Sequence, residues 1–234
     1  MSGPTAEVAA LDFPVEHYDW AFARDEAERI DAHWAQALAA RPAMFDGRVL
    51  LCHRWEIADG RLAGACFETG FKSFLSWRDF GYPGAPVFNI FSMPALRAAD
   101  GAFMLGEMSA RTSNAGQLYF PAGTPDLADI GPDGRVDFEG SILRELAEET
   151  GLASNEVALE PTWQVVRSPR PAIACLRVAR ATLSAEALQA RLQAHNASHA
   201  EPELTRLVPV RSPADLDPAR MPDFMLTYLA EALG

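Results

Sequence analysis

Three glutamates on one short segment are the residues of this chain best suited to chemistry. Glu145, Glu148 and Glu149 are spaced i, i+3, i+4, and because an α-helix turns once in about 3.6 residues, they share one helix face. Arg144 can pair with Glu148 at i, i+4, but one arginine cannot balance three carboxylates that repel each other. Hard oxygen ligands at this spacing suit Mg²⁺ or Mn²⁺. The alternative is a solvated acidic helix face.

The residues around these glutamates predict a short helix with defined ends. Leu143 and Leu146 occupy positions suited to packing against a sheet. Asp137 or Ser141 can cap the start of the helix, and Gly151 falls where helices commonly end in a left-handed residue. The helix therefore has one side for packing and another for its carboxylates.

The run from Arg144 to Leu152 resembles the second half of the Nudix signature, REUXEEXGU with U aliphatic, at every specified position. The run from Gly116 to Gly123 is similar to the strand and glycine loop that precede the helix in that superfamily. The resemblance covers residues 103–152. It implies an α/β/α sandwich with a mixed β-sheet, and Mg²⁺- or Mn²⁺-dependent hydrolysis of a nucleoside diphosphate linked to another group.

Before the helix, the chain departs from the full signature, GX5EX7REUXEEXGU. Val136 stands where the first glutamate is expected, and Ile130 stands where the glycine is expected. Gly123 is therefore the candidate loop glycine, and the loop after it is longer than the signature allows. Five acidic residues in or just after this loop remain open as replacements for the missing carboxylate: Asp126, Asp129, Asp133, Asp137 and Glu139.

Two branches of the superfamily resemble this loop. Gly123-x-x-Asp126 after a Phe-Pro dipeptide is similar to the coenzyme A diphosphatase branch, although Arg111, from that branch's upstream pattern, is displaced by one position. A long loop combined with an extra N-terminal region looks more like the branch acting on UDP-sugars. The substrate-binding candidates are Arg111, Gly123 and Asp126, and the substrate is either a nucleotide-sugar or a coenzyme A-like molecule.

The resemblance also implies roles for the charged residues. We expect Glu145, Glu148 and Glu149 to be metal ligands, because bound metal ions would neutralise phosphoryl oxygens and activate a water in line with phosphorus. Arg144 would orient a glutamate. The catalytic base is either Glu148 or a downstream glutamate, Glu201 or Glu203, of which we favour Glu203.

A second interpretation is a degenerate Nudix module that binds a nucleotide as a sensor or regulator. Val136 at the signature glutamate position favours this interpretation, whereas the three helix glutamates argue against it. Other enzyme classes lack support, since the chain has no GxSxG elbow, GxxxxGK[ST] loop or HExxH helix.

The amino-acid composition argues against some classes of binding partner. The net charge of −12, from 32 acidic and 20 basic residues, argues against a nucleic-acid scaffold. No apolar run approaches the roughly 20 residues that span a bilayer, and the N-terminus lacks a basic stretch followed by an apolar one. We therefore expect a soluble cytoplasmic protein with a small nucleotide substrate, no membrane partner and reduced core cysteines. A homodimer is an expectation from the superfamily alone.

The Gly- and Pro-rich stretch 81–86 predicts a domain boundary. Residues 1–84 would form a small α+β extension for substrate specificity or dimerisation, and residues 85–234 the Nudix domain. The alternation of strands and helices supports an α/β class.

In the extension we expect a helix over 16–40, a hairpin of 47–56 with 60–69, and an aromatic-rich helix over 71–80. Beyond it we expect strands near 87–91, 101–109, 119–120, 163–167, 172–179 and 203–210, and helices over 184–194 and 221–233.

Overall fold

A mixed β-sheet organises the fold in the computed structural model, which describes residues 5–42, 44–110, 112 and 114–234. The strands are β1 (Thr5–Val8), β2 (Ala10–Asp12), β3 (Arg48–Ala58), β4 (Arg61–Gly70), β5 (Asn89–Arg97), β6 (Phe103–Met108), β7 (Leu118–Tyr119), β8 (Val157–Leu159), β9 (Trp163–Arg167), β10 (Ala172–Ala181) and β11 (Leu204–Val210). The helices are α1 (Ala21–Asp25), α2 (Ala27–Ala40), α3 (Phe71–Asp79), α4 (Phe138–Thr150), α5 (Ala185–Asn196) and α6 (Asp223–Ala232).

The main sheet has the strand order β1-β9-β10-β5-β6-β11, with β7 paired to β6 and β8 paired to β10. Strands β5 and β10 run parallel, and the other pairs of this sheet are antiparallel. The predicted α/β class with a mixed sheet is therefore confirmed.

Helices cover both faces of this sheet. Because successive side chains of a strand point to opposite faces, neighbouring residues of β5 belong to different layers. Ile90 lies in the same buried cluster as Ile142 of α4, and Ser92 Oγ donates to the Phe138 carbonyl of α4 at 3.3 Å. Phe91, between them, has its ring 5.4 Å from that of Phe224 of α6. Helices α4 and α6 thus lie on opposite faces, which gives the expected sandwich.

The N-terminal region contributes to two sheets. Strands β2, β4 and β3 form a separate three-stranded sheet, in which β3 and β4 make the expected hairpin through a turn at Asp59 and Gly60, both with positive φ. Strand β1 instead extends the main sheet by pairing with β9. The Leu50 N–H also donates to the Pro125 carbonyl at 2.7 Å. The boundary near residue 84 stays a prediction.

The helix expected over residues 16–40 was wrong at its start. The chain becomes helical only at Ala21, and Glu26 interrupts it between α1 and α2. The segment before Ala21 is held extended along β4, because the Glu16 N–H donates to the Cys66 carbonyl at 2.9 Å. Trp20 is then buried in an aromatic cluster with Trp77, at 5.8 Å between ring centroids, and this packing outweighs local helix propensity.

The short strands β1, β2 and β8 were not expected from the sequence. The strand expected near 87–91 begins at Asn89 and continues to Arg97, so its predicted end was wrong. Apart from the helix over 16–40, the other expected strands and helices occur with ends shifted by at most two residues. The three cysteines are buried and reduced, as expected. No helix within the described ranges combines the length and the apolar content needed to cross a bilayer.

Candidate active site

The buried apolar residues of helix α4 fix its rotation about its own axis, and that rotation determines the direction in which its glutamates point. Ile142 and Leu146 are fully buried. The Asp137 carboxylate caps the helix by accepting from the Gly140 N–H at 2.9 Å, and Gly151 ends it with φ of 72°. The cap, the packing face and the left-handed end all agree with the sequence.

Glu149 is the most deeply placed carboxylate of the helix. The residue is only 8% exposed and accepts a hydrogen bond from the backbone N–H of Ala122. Burial raises the pKa of Glu149 to about 9, and the charges of Glu145 and Glu203 add to that rise. Its Oε2 is buried and has no hydrogen-bond partner among the described residues. A buried carboxylate stays ionised only when it is paired or bound to metal, so a bound cation would hold this group in its charged form.

Glu145 lies beside Glu149 and against the glycine loop. Burial raises its pKa, the nearby Arg144 opposes the rise, and the charges of Glu148, Asp129 and Glu203 add to it. A Cβ atom on Gly123 would come within 2.6 Å of Glu145 Oε1. The backbone of the loop therefore approaches this carboxylate so closely that a side chain at position 123 would displace it.

Glu203 joins the two buried glutamates from a distant part of the chain. It precedes β11, and its backbone carbonyl accepts from the Ser109 N–H at 2.7 Å. Its charge raises the pKa of both Glu145 and Glu149, so its carboxylate lies near both. The structure thus gathers three carboxylates from a helix and a loop.

Glu148 lies at the open edge of this group. Its side chain is 60% exposed and pairs with Arg144 at 3.1 Å, the i, i+4 pair expected from the sequence. It contributes to the raised pKa of Glu145. Its backbone carbonyl lies 2.8 Å from Nε2 of His195.

Arg144 connects the helix to the preceding loop. Its Nη2 donates to both carboxylate oxygens of Asp129, at 2.9 and 3.2 Å, and its Nη1 lies 2.9 Å from Glu145 Oε1. Burial disfavours the charged guanidinium, but the hydrogen bond to Asp129 and the neighbouring carboxylates raise the pKa of Arg144. With three acidic neighbours inside the protein, Arg144 is placed to orient carboxylates.

Asp129 is the loop acid that contacts Arg144. Its side chain is 2% exposed, and it also accepts from the Asp126 N–H at 3.0 Å within a short 3₁₀ turn. The other four candidates have different partners. Asp126 accepts from Ala128 N–H, Asp133 from Arg135 N–H and Asp137 from Gly140 N–H, while Glu139 pairs with Arg177.

Val136, at the signature position of the first glutamate, is buried in the core beneath the helix. Its N–H donates to the Phe13 carbonyl at 2.9 Å, so this position belongs to the packing of the N-terminal region. A carboxylate there would be buried without a partner. Asp129 brings its carboxylate to Arg144 from the lengthened loop instead.

The carboxylates fit a hard divalent ion. The donors are all oxygen atoms, and Glu149 contributes one without a hydrogen-bond partner in the ranges that the structure describes, which suits Mg²⁺ or Mn²⁺. Across the described ranges, no three His, Cys, Asp or Glu side chains already surround one common metal position. The i, i+4 pair His195 and His199 is engaged otherwise, since both rings lie 2.8 Å from backbone carbonyls.

A cavity of about 340 Å³ borders the glycine loop beside the glutamates. Ala122, which binds Glu149, and Gly123, which touches Glu145, both line it. Tyr119 also lines it; burial raises the pKa of this phenol to about 12, and its OH accepts from Asn114 Nδ2 at 3.1 Å. Further side chains come from three distant segments: Arg78 and Tyr82, Ser168 and Arg170, and Asp223 and Phe224.

The substrate-binding residues predicted from the sequence do not all lie at this cavity. Gly123 lines the cavity. Asp126 lies in the 3₁₀ turn, where it caps local backbone, and it is absent from the cavity lining. Arg111 lies outside the described residues. No sequence motif predicts the distant segments that line this cavity, because only the fold brings them to the glycine loop.

No family model matches the chain, and no curated protein matches it. Among solved structures, the crystal structure of a Nudix hydrolase from M. smegmatis, RenU, is similar over 61% of this chain and 83% of that chain, with 16% sequence identity and a TM-score of 0.37. At that identity and TM-score, the similarity assigns neither a family nor an activity to this chain.

Proposed function

We propose that this chain is a Nudix-type hydrolase that uses Mg²⁺ or Mn²⁺ to cleave the phosphoanhydride bond of a nucleoside diphosphate linked to another group. The observation that carries the proposal is the buried Glu149, whose Oε2 has no partner in the described part of the chain while two further carboxylates lie beside it. Burial disfavours the ionised form of this group, and a bound metal ion would stabilise it. The signature residues of the helix and the cavity next to them support the same function.

Each residue has a role in this proposal. Glu145 and Glu149 hold the metal ions from the buried side, and Glu148 completes the ligand set from the exposed side. When bound, the ions neutralise the phosphoryl oxygens. Glu203, which lies near the buried pair, accepts the proton of the attacking water. Arg144, held by Asp129, keeps the glutamates in place.

A substrate panel tests this function. UDP-glucose, ADP-ribose, NADH, coenzyme A and a dinucleoside polyphosphate would each be incubated with Mg²⁺ or Mn²⁺, with products identified by phosphorus NMR. We expect at least one to be cleaved at its diphosphate. Glu149→Gln and Glu148→Gln should each lower kcat by about two orders of magnitude or more, with an unchanged circular dichroism spectrum.

Glu28→Gln is the matched control, because Glu28 is an exposed glutamate of α2, outside the proposed site. It should leave turnover unchanged. Cleavage of none of the compounds with either metal would contradict the proposed hydrolase.

A nucleotide-binding module without turnover is the second candidate function. The buried Val136 at the signature glutamate position favours it. Binding of a panel member by calorimetry, with no product after long incubation, would support this alternative. The contact between Asp129 and Arg144 favours the hydrolase, since it supplies the carboxylate that Val136 does not.

A further inference from the structure

The cavity beside the glycine loop carries two arginines from separate segments. Arg78 lies in the last turn of α3, and Arg170 lies in the loop between β9 and β10. Arg78 Nε donates to Asp79 at 3.1 Å, which anchors its guanidinium at the wall. Arg170 is exposed and has no ion pair within the part of the chain that the structure describes. These two arginines place positive charge at the cavity of a chain whose net charge is −12.

The aromatic part of this wall is preformed. Tyr82 has φ of 63°, a left-handed backbone conformation that is unfavourable for a residue other than glycine. It is held there because its N–H donates to the Trp77 carbonyl at 2.8 Å and its ring lies 4.8 Å from that of Trp77. Across the cavity, Phe91 and Phe224 pack edge to face. The arginines are therefore set among rigid apolar surfaces.

A second cavity, of about 420 Å³, continues from the first. The two share Ser168, Arg170, Ala172 and Asp223, so Arg170 stands at their junction. Trp55 and Phe88, whose rings are 5.9 Å apart, line the second cavity but not the first. Together the two cavities form a groove that extends from the glycine loop to these rings.

The charged residues lining this groove are mainly cationic. Among the described residues that line it, the charged ones are Arg78, Arg167, Arg170 and Asp223, the first residue of α6. The guanidinium group binds phosphate by two parallel hydrogen bonds and does so better than a point charge. A phosphate on the ligand would thus find its partner where the two cavities meet.

We propose that this groove binds the part of the substrate beyond the diphosphate, and that this part carries its own phosphate monoester, held by Arg170 with Arg78. The proposal rests on the proposed function and specifies its substrate class. It predicts a preference between substrates that differ by one phosphate away from the cleaved bond.

Two commercially available pairs isolate this difference: coenzyme A with dephospho-coenzyme A, and NADPH with NADH. Dissociation constants would be measured by calorimetry in EDTA, and kcat and KM with Mg²⁺. We expect the phosphorylated member of at least one pair to bind tenfold tighter or more. Arg170→Ala should remove that preference by raising KM for the phosphorylated member alone, with kcat retained. Arg170→Lys should keep part of it, and Arg78→Ala should weaken it.

Arg180→Ala is the matched control, because Arg180 lies at the other end of β10 and is exposed; it should not change the preference. Equal binding of both members by the unmodified protein, equal weakening of both by Arg170→Ala, or binding of neither would overturn the proposal. A preference in binding without turnover would contradict only the hydrolase, whereas turnover without preference would contradict only the phosphate site.

Discussion

Asp129 accepts two hydrogen bonds from Arg144, at 2.9 and 3.2 Å, and so joins the loop before α4 to the middle of that helix. The same guanidinium lies 2.9 Å from Glu145 and 3.1 Å from Glu148. A second contact fixes the loop, because the Asp137 N–H at the start of α4 donates to the Asp129 carbonyl at 2.7 Å. Asp129 therefore sets where the arginine, and through it the glutamates, can lie.

Asp129→Asn should lower both stability and turnover. It removes a buried charge that is hydrogen-bonded to Arg144, and hydrogen bonds to charged groups are worth about 1.5–3 kcal/mol. Urea unfolding should show a loss of about 2 kcal/mol, on that same scale. At a temperature where the variant is folded, kcat should fall with little change in KM. Asp133→Asn, in the exposed part of the same loop, is the control; equal effects of both variants would contradict the positioning role.

Gly123→Ala should impair metal binding more than stability. The added methyl would lie 2.6 Å from Glu145 Oε1, so the carboxylate must shift from its place. Manganese affinity, measured by calorimetry, should fall by at least about tenfold, the lower range for losses at the residues that orient ligands. Gly131→Ala serves as a comparison, because its Cβ would meet the mobile end of Asp133 at 3.0 Å. Unchanged manganese affinity in Gly123→Ala would show that Glu145 is not a ligand.

His195→Ala should loosen the end of α4. His195 Nε2 lies 2.8 Å from the Glu148 carbonyl, and Arg191 Nη1 donates to the Gly151 carbonyl at 3.1 Å, so α5 binds carbonyls that a helix end leaves free. Losing the histidine contact should cost about 1 kcal/mol of unfolding free energy. His17→Ala, at an exposed position, should cost nothing measurable in the same thermal scan. A Tm unchanged by His195→Ala would contradict this role.

Glu107 should make stability depend on pH in the acid range. Hydrogen bonds from Arg220 and Arg206 hold its pKa below the usual 4.5, so the folded state favours the charged carboxylate. Its contribution is fully present above pH 4.5 and is lost as pH falls through the lower folded-state pKa. Glu107→Gln should therefore lower the free energy of unfolding at neutral pH, and the difference should vanish in strong acid. A difference that persists there would contradict this assignment.

The sequence predicts helix α4 better than it predicts the residues around it. The helix follows from local signals, since Asp137, Gly151 and the spacing of the glutamates act within a few residues. The contact between Asp129 and Arg144 depends on how a long loop folds. The sequence alone does not distinguish Asp129 from the other four acidic residues in or just after that loop. Arg170 reaches the glycine loop only because β10 lies beside β5 in the sheet. Pairing between strands that are distant in the sequence produces no periodic pattern in a single sequence, so the position of Arg170 could not be predicted.

A manganese titration tests the central claim most directly. The unmodified protein and a Glu145→Gln, Glu149→Gln double variant would be titrated with Mn²⁺ and followed by electron paramagnetic resonance and calorimetry, with circular dichroism to confirm the fold. The account predicts saturable binding to the unmodified protein, which the double variant loses. Binding of Mn²⁺ with equal affinity to both proteins, or to neither, would contradict a metal centre on α4.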